Sequence, residues 1–365
     1  MMTPIAHDPR SYDKGRLTPG AMYAAVRRRD ASLAGAFLVG VKTTGVFCRP
    51  GCPARVPQRR NCEFYQSTRE ALLRGFRPCM RCRPLDPPNS APRWARRLLE
   101  ILIGEPMRVL TSDDIRRVGV HPSTASRFFK DRLGATLQGL SRAQRVGQAL
   151  LALRDGAAVT SAVGSGGFDS ESGLRKAVEE LFGTTPGEAA RRGLTPLVAR
   201  WLSTPLGSML AIACDEGLAL LEFVDRRMLA TNIVRVRSRL GRPVVAGDHT
   251  VIRQVEHELA EYFDGKRSEF ETPLVTCGTP FQERVWRELR AIGYGETRSY
   301  AQVAAAIGQR SAVRAVAAAN GDNRIAILIP CHRVIGSNGQ LTGYGGGLWR
   351  KQRLLDLECG QVARE

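Results

Sequence analysis

The sequence predicts a multidomain α+β protein, and three observations lead there. At 365 residues the chain can hold several domains, each with a core of its own. A proline-rich polar break, Arg83-Pro84-Leu85-Asp86-Pro87-Pro88-Asn89-Ser90, separates a Cys- and Arg-rich segment, 1–85, from the rest. Beyond it the apolar period changes from three-to-four residues across 91–192 to two from about 201.

Taken in order, the block 91–192 is all-α. Apolar positions at helical spacing over 94–103 and 137–153 predict helices stopped by Gly104 and Gly156. Thr111-Ser112-Asp113-Asp114 and His121-Pro122-Ser123 carry helix-opening residues on either side of a tight turn, which predicts a helix-turn-helix. A second copy runs through 158–167 and 169–177 and closes at Phe182-Gly183-Thr184-Thr185-Pro186. In 201–275, alternation over 209–213 and 218–223 around Asp215-Glu216-Gly217 predicts a β-hairpin, and 251–263 an amphipathic helix. The last block, 276–361, reads as short helices among glycine-rich turns. One of these, 313–319, is nearly all small residues, and the final helix covers 348–357.

Lys and Arg outnumber Asp and Glu by 54 to 35, a net charge of +19, which favours a polyanionic partner, nucleic acid first. An anionic membrane is disfavoured, because the chain has no signal peptide and no apolar run of about 18 residues. A soluble intracellular protein is expected. The nine cysteines include two close pairs, a pattern that in a reducing compartment indicates metal or reactive thiol rather than disulfide.

Cys48-x3-Cys52 and Cys79-x2-Cys82 are two hooks, each able to place two sulfurs about 2.3 Å from one metal ion, and four thiolates favour zinc. Such a site can be a structural staple. It is also coordinatively closed, so any chemistry must happen at a sulfur, which zinc would keep deprotonated and nucleophilic. The run Val41-Lys42-Thr43-Thr44-Gly45-Val46-Phe47-Cys48-Arg49-Pro50-Gly51-Cys52-Pro53-Ala54-Arg55, with Gly75-Phe76-Arg77-Pro78-Cys79-Met80-Arg81-Cys82, resembles the amino-terminal domain of the Ada family. The resemblance implies that Cys48 accepts a methyl group from a DNA phosphotriester, that Cys52, Cys79 and Cys82 complete the zinc site, and that Thr44, Arg55 and Arg77 meet phosphate. It further implies that methylated Cys48, one negative charge poorer, turns a repair protein into a promoter binder. Cys62 stands outside the pattern and reads as a packing residue.

Ser126-Arg127-Phe128-Phe129-Lys130-Asp131-Arg132-Leu133-Gly134 and Gly166-Gly167-Phe168-Asp169-Ser170 resemble the AraC-type tandem helix-turn-helix. That places Ser123, Ser126 and Arg127 on one recognition helix and Glu171, Ser172 and Arg175 on the other, within reach of base edges. Gly173 departs from the pattern, standing where the family carries an aromatic core residue, and Gly164-Ser165-Gly166-Gly167 is unusually permissive. Helix pairs of this kind also occur as plain scaffolds.

In Pro330-Cys331-His332-Arg333 a thiol adjoins an imidazole, which on its own can be a buried cysteine beside a structural histidine. Neighbours on an extended segment point apart, so His332 would act on the thiol through a water, with Glu358 orienting the ring. Thr279-Pro280-Phe281-Gln282-x3-Trp286, Gly295-Glu296-Thr297-x-Ser299-Tyr300, Arg314-Ala315-Val316-Ala317-x2-Asn320, Gly343-Tyr344-Gly345 and Leu354-Leu355-x2-Glu358 together resemble the O6-alkylguanine-DNA alkyltransferase family, including its winged-helix-like DNA-binding motif. By that resemblance Cys331 accepts the alkyl group of O6-methylguanine or O4-methylthymine, His332 and Glu358 form its relay, and Asn323 braces the turn. Tyr300 assists proton transfer to the departing base, and Arg314 fills the gap after the base is flipped out of the stack, as reaction at O6 requires. Both products are thioethers, poor leaving groups, so each protein acts once. Cys214, Cys277 and Cys359 read as packing residues.

The expected cofactor is zinc, with no organic group. The expected partners are alkylated duplex DNA, promoter DNA and RNA polymerase, met by a monomer in the cytoplasm at the nucleoid. Two competing readings are a zinc transcription factor without methyl transfer, its carboxy-terminal domain a scaffold, and a repair protein with weakened regulation.

Overall fold

The computed structural model describes residues 12–13, 16–86 and 91–360. Residues 87–90 of the expected linker and the outermost residues of the expected terminal domains, 1–11 and 361, lie outside them.

The first domain begins with the short pair β1 (Tyr12–Asp13) and β2 (Arg16–Leu17), followed by helix α1 (Pro19–Arg28). Thr18 starts α1 by accepting from the Ala21 amide, with proline at the first turn. Strands β3 (Leu38–Val41), β4 (Val46–Cys48) and β5 (Cys62–Tyr65), helix α2 (Thr68–Leu73) and strand β6 (Arg77–Pro78) follow, and the sheet order is β5-β3-β4-β6. Thr44 sits in the β3–β4 turn, which closes through Gly45 at φ +64°.

The second block is helical as expected: α3 (Arg93–Gly104), α4 (Ser112–Arg117), α5 (Pro122–Leu133), α6 (Leu137–Arg154), α7 (Val159–Ser165), α8 (Glu171–Phe182) and α9 (Pro186–Arg191). Thr111 and Asp114 form a reciprocal cap on α4, and Gly134 ends α5 in the left-handed conformation.

The third block contains β7 (Leu197–Thr204), β8 (Gly207–Cys214), β9 (Gly217–Phe223), α10 (Leu229–Leu240), β10 (Val244–Ala246) and α11 (Thr250–Phe263), with sheet order β10-β7-β8-β9. Strand β7 starts ahead of the expected boundary at 201; half-buried Arg200 and Trp201 blur its alternation in the sequence. Every residue of β8 and β9 is buried because both sheet faces are covered. Met209, Ala211 and Ala213 pack in the core shared with α11, and Leu210, Ile212 and Cys214 in a core shared with α10 and helices of the second block. The helical block is therefore docked rather than free. Arg237 donates to the Gly134 carbonyl (3.0 Å), and Phe128 meets Trp201 edge-on at 5.9 Å.

The last block holds α12 (Pro280–Arg290), β11 (Arg298–Ser299), α13 (Tyr300–Ala306), α14 (Val313–Gly321), β12 (Val334–Ile335) and α15 (Leu348–Glu358). Helices α12, α13 and α14 pack on one another, and β11 pairs in parallel with β12. The first and last blocks share a core, and Trp349 donates to the Ser32 carbonyl (2.7 Å).

Candidate functional site

Two thiol sites stand out. In the first domain, β4 ends at Cys48, a turn follows to Cys52, and the segment after β6 supplies Cys79 and Cys82. The four sulfurs lie within 4.8 Å of one another, with Cys52 and Cys79 at 3.9 Å. Sulfurs each about 2.3 Å from a central ion and tetrahedrally disposed would be roughly 3.8 Å apart, so the cluster fits zinc. Its electrostatics call for a cation: the hydrogen bond with Cys82, then burial and the neighbouring thiols, push the Cys48 thiol far up. The reciprocal hydrogen bond from Cys48, with the Arg49 amide, brings Cys82 down to about 5. A cleft runs over the cluster, lined by Cys48, Cys52 and Cys79 together with Thr44, Arg55 and Arg77. The three expected phosphate contacts are exposed there, beside Arg81.

The second site is built around Cys331, which opens a 3-10 turn at Cys331–Arg333 rather than the extended segment expected. The turn lets the Cys331 and His332 side chains take separate tasks. Asn323 Nδ2 donates to Cys331 Sγ (3.0 Å) and to the Ile329 carbonyl (2.8 Å), while its oxygen accepts from the Ile325 amide. Asn320 holds the Cys331 carbonyl (3.3 Å). Burial raises the thiol, and the Asn323 hydrogen bond and the charges of Arg226 and Lys351 oppose it. His332, wholly buried, has Nε2 2.8 Å from Glu358 Oε1. Its Nδ1 has no protein partner among the described residues. Burial lowers the imidazole, favouring the neutral ring.

Glu358 comes from the end of α15 and is the hub. Tyr262 donates to it (2.7 Å), and Arg333 reaches both oxygens (2.8 and 3.0 Å). Burial alone would raise its pKa, but His332 and Arg333 outweigh that and hold it at about 2. Lys351, brought down to about 8 by burial, bonds the carbonyls of Val334 and Thr342.

Above Cys331 is a recess of about 10 Å³, lined by Asn323, Tyr344 and Arg226. It adjoins a 530 Å³ cleft that carries Arg314, Ala317 and Tyr300. Tyr300 donates to the Thr342 carbonyl (3.2 Å). Of the residues expected from the sequence, the fold bonds Asn323 to Cys331 and His332 to Glu358, and places Tyr300 and Arg314 along the adjoining cleft. Sequence reasoning assigned no role to Tyr262 and Arg226, which come from distant elements with no local signature, nor to Asn320, although that residue closes the Arg314-Ala315-Val316-Ala317-x2-Asn320 motif, nor to Lys351 on the helix of Glu358.

On the helical block, Arg127 and Arg175 are exposed and Ser126 is half-buried; Arg175 pairs with Glu179 (3.0 Å). All nine cysteines are free thiols. Cys62 and Cys214 are buried and Cys277 half-buried, but Cys359 is exposed, against the packing role expected for it, because it caps the solvent end of α15. No described helix is long and apolar enough to cross a membrane.

Each domain matches a known sequence family: the metal-binding domain of Ada over residues 21–85, a helix-turn-helix domain over 115–192, and the 6-O-methylguanine DNA methyltransferase ribonuclease-like and DNA-binding domains over 197–276 and 280–360. The matched domains and the two thiol sites place the chain among the methylated-DNA–protein-cysteine methyltransferases. The Escherichia coli bifunctional transcriptional activator and DNA repair enzyme Ada is 34% identical over 95% of this chain and 98% of its own length. A methylated-DNA–protein-cysteine methyltransferase of Mycobacterium leprae is 43% identical over 45% of the chain and 93% of its own. The solved DNA methyl phosphotriester repair domain of E. coli Ada is 45% identical over 21% of the chain and 80% of its own, with a TM-score of 0.18. The chain belongs to the Ada family.

Proposed function

We propose that Cys331 takes methyl groups from O6-methylguanine and O4-methylthymine, and that Cys48 takes them from methylphosphotriesters. The observation that carries this reading is a buried thiol held by Asn323, backed by the His332–Glu358 pair and opening toward the cleft of Arg314.

At Cys331, His332 Nδ1 takes the thiol proton through a water, and ionised Glu358 fixes the ring and offsets its charge. The sulfur attacks the methyl carbon, the carbon–oxygen bond breaks, and its electron pair stays with the base, which gains a proton with help from Tyr300. The recess above Sγ has room for about one water. A flipped base therefore enters only when the adjoining glycine-rich segment around Gly343 and Gly345 shifts, and Arg314 takes its place in the stack.

At the other site Cys48, Cys52, Cys79 and Cys82 would hold zinc, which supplies a cation that keeps the sulfurs deprotonated. Thr44, Arg55 and Arg77 orient the phosphotriester, Cys48 sulfur attacks the methyl carbon, and a phosphodiester anion leaves. Methylation removes one negative charge from the cluster and so lowers its repulsion by DNA. Promoter binding then uses Ser126, Arg127 and Arg175, with RNA polymerase as the partner recruited and the cytoplasmic nucleoid as the place of action. Repair with weakened regulation is the second reading, favoured by α5 being packed against α10.

Cys331→Ala is expected to abolish transfer from O6-methylguanine and spare transfer from methylphosphotriesters; Cys48→Ala does the reverse. Base repair persisting in Cys331→Ala would sink the assignment.

A further inference from the structure

The strand domain is more than a support for the reactive thiol. Just beyond β9, Arg226 has a side chain only 8% exposed and paired with Glu222, whose own side chain is 0% exposed. Asn232 Nδ2 donates to both Glu222 oxygens (3.0 and 3.2 Å), so the carboxylate is fixed from α10 as well. From this anchor Arg226 reaches into the other domain. Nη1 donates to the Asn323 carbonyl and Nη2 to the Gly321 carbonyl, each at 2.6 Å. Gly321 is the last residue of α14, where carbonyls lack helical partners and a cation is favourable. The contact is tight on its far side too: a Cβ on Gly345 would stand 2.7 Å from the guanidinium.

One more step reaches the reacting atom. Asn323, whose carbonyl Arg226 holds, donates through its side chain to Cys331 Sγ. The path Glu222–Arg226–Asn323–Cys331 therefore runs by hydrogen bonds from the sheet to the thiol, and Arg226 lines the recess above that thiol. We propose that Arg226, with Glu222 as its buried counter-charge, is a positioning residue for base repair, setting the turn after α14 and supplying positive charge beside the Cys331 sulfur. The inference rests on Cys331 being the acceptor. Arg226 and Lys351 both oppose the upward push of burial on the thiol, and Tyr344 and Glu222 face the same recess; burial pushes Glu222 itself up to about 7, against Arg226 and Asn232, so its counter-charge is complete on the alkaline side of neutrality.

The test uses the full-length zinc-loaded chain and single-turnover transfer from duplex O6-methylguanine, followed against pH in wild type, Arg226→Gln and Arg226→Lys. Circular dichroism and thermal unfolding of each full-length variant report on folding. Arg226→Gln should slow base repair at neutral pH by about tenfold or more and move the rise of rate with pH to higher pH. Arg226→Lys should recover part of the rate and keep the wild-type position of that rise. A wild-type rate and profile in Arg226→Gln overturns the proposal, as does equal slowing in both variants with no displacement of the profile. If Arg226→Gln does not fold, Arg226→Lys decides: a slowed rate on the wild-type profile supports it, and a wild-type rate overturns it. Absence of transfer to Cys331 in wild type would instead remove the reading on which it rests.

Discussion

Among single residues, Glu358 does the most to fix the base-repair site, since Tyr262, His332 and Arg333 all converge on it. Glu358→Gln should lower transfer to Cys331 by on the order of 10² while Cys48 still accepts from a methylphosphotriester. The substitution also has a signature in stability. Held at about 2, below the ordinary carboxylate range, Glu358 stabilises the fold above that range and loses the contribution as pH falls toward 2. Urea unfolding should therefore show wild type more stable than Glu358→Gln near neutrality, with the gap shrinking on acidification; a gap independent of pH would contradict the assignment. Cys331, His332 and Glu358 were legible because they stand at fixed offsets in motifs, and Asn323 through the family resemblance those motifs carry. Arg226 and Tyr262 were not, because each acts on groups far along the sequence, and nothing in its immediate neighbours marks it; Lys351 bonds the nearby carbonyls of Val334 and Thr342, which no pattern of side chains reports.

Helices were read more readily than strands. Caps such as Thr111 with Asp114 and stops such as Gly104 and Gly156 leave local marks, and the 313–319 run of small residues falls within α14. The first domain's strands span at most four residues, too short for alternation to register, and β7 was lost to its half-buried Arg200 and Trp201. The exposed face of α14 yields a test of its own: Ala317 lines the cleft beside Arg314. Ala317→Leu should obstruct close approach to DNA and weaken both duplex binding and base repair, with unfolding free energy within about 0.5 kcal/mol of wild type. Unchanged DNA affinity would mean that this helix does not face the duplex.

For the molecule as a whole, the sequence suggested modules strung on linkers, and the fold joins them. The outer face of the β7–β10 sheet shares a core with α10 and with helices of the second block, so the first expected reader helix is seated on the repair half. Those contacts join residues far apart in the chain, and a periodic pattern reports only that a face is apolar, never what covers it. The two thiols nevertheless sit in separate clefts with separate lining residues, which makes their chemistry separable. The most direct measurement is to incubate the chain with DNA carrying labelled methyl groups on O6-guanine and on phosphotriesters, and to map the label by peptide mass spectrometry, with and without prior zinc removal by a chelator. The account predicts label on Cys331 in both samples and on Cys48 only in the zinc-loaded one; label on neither cysteine of the zinc-loaded chain would contradict it.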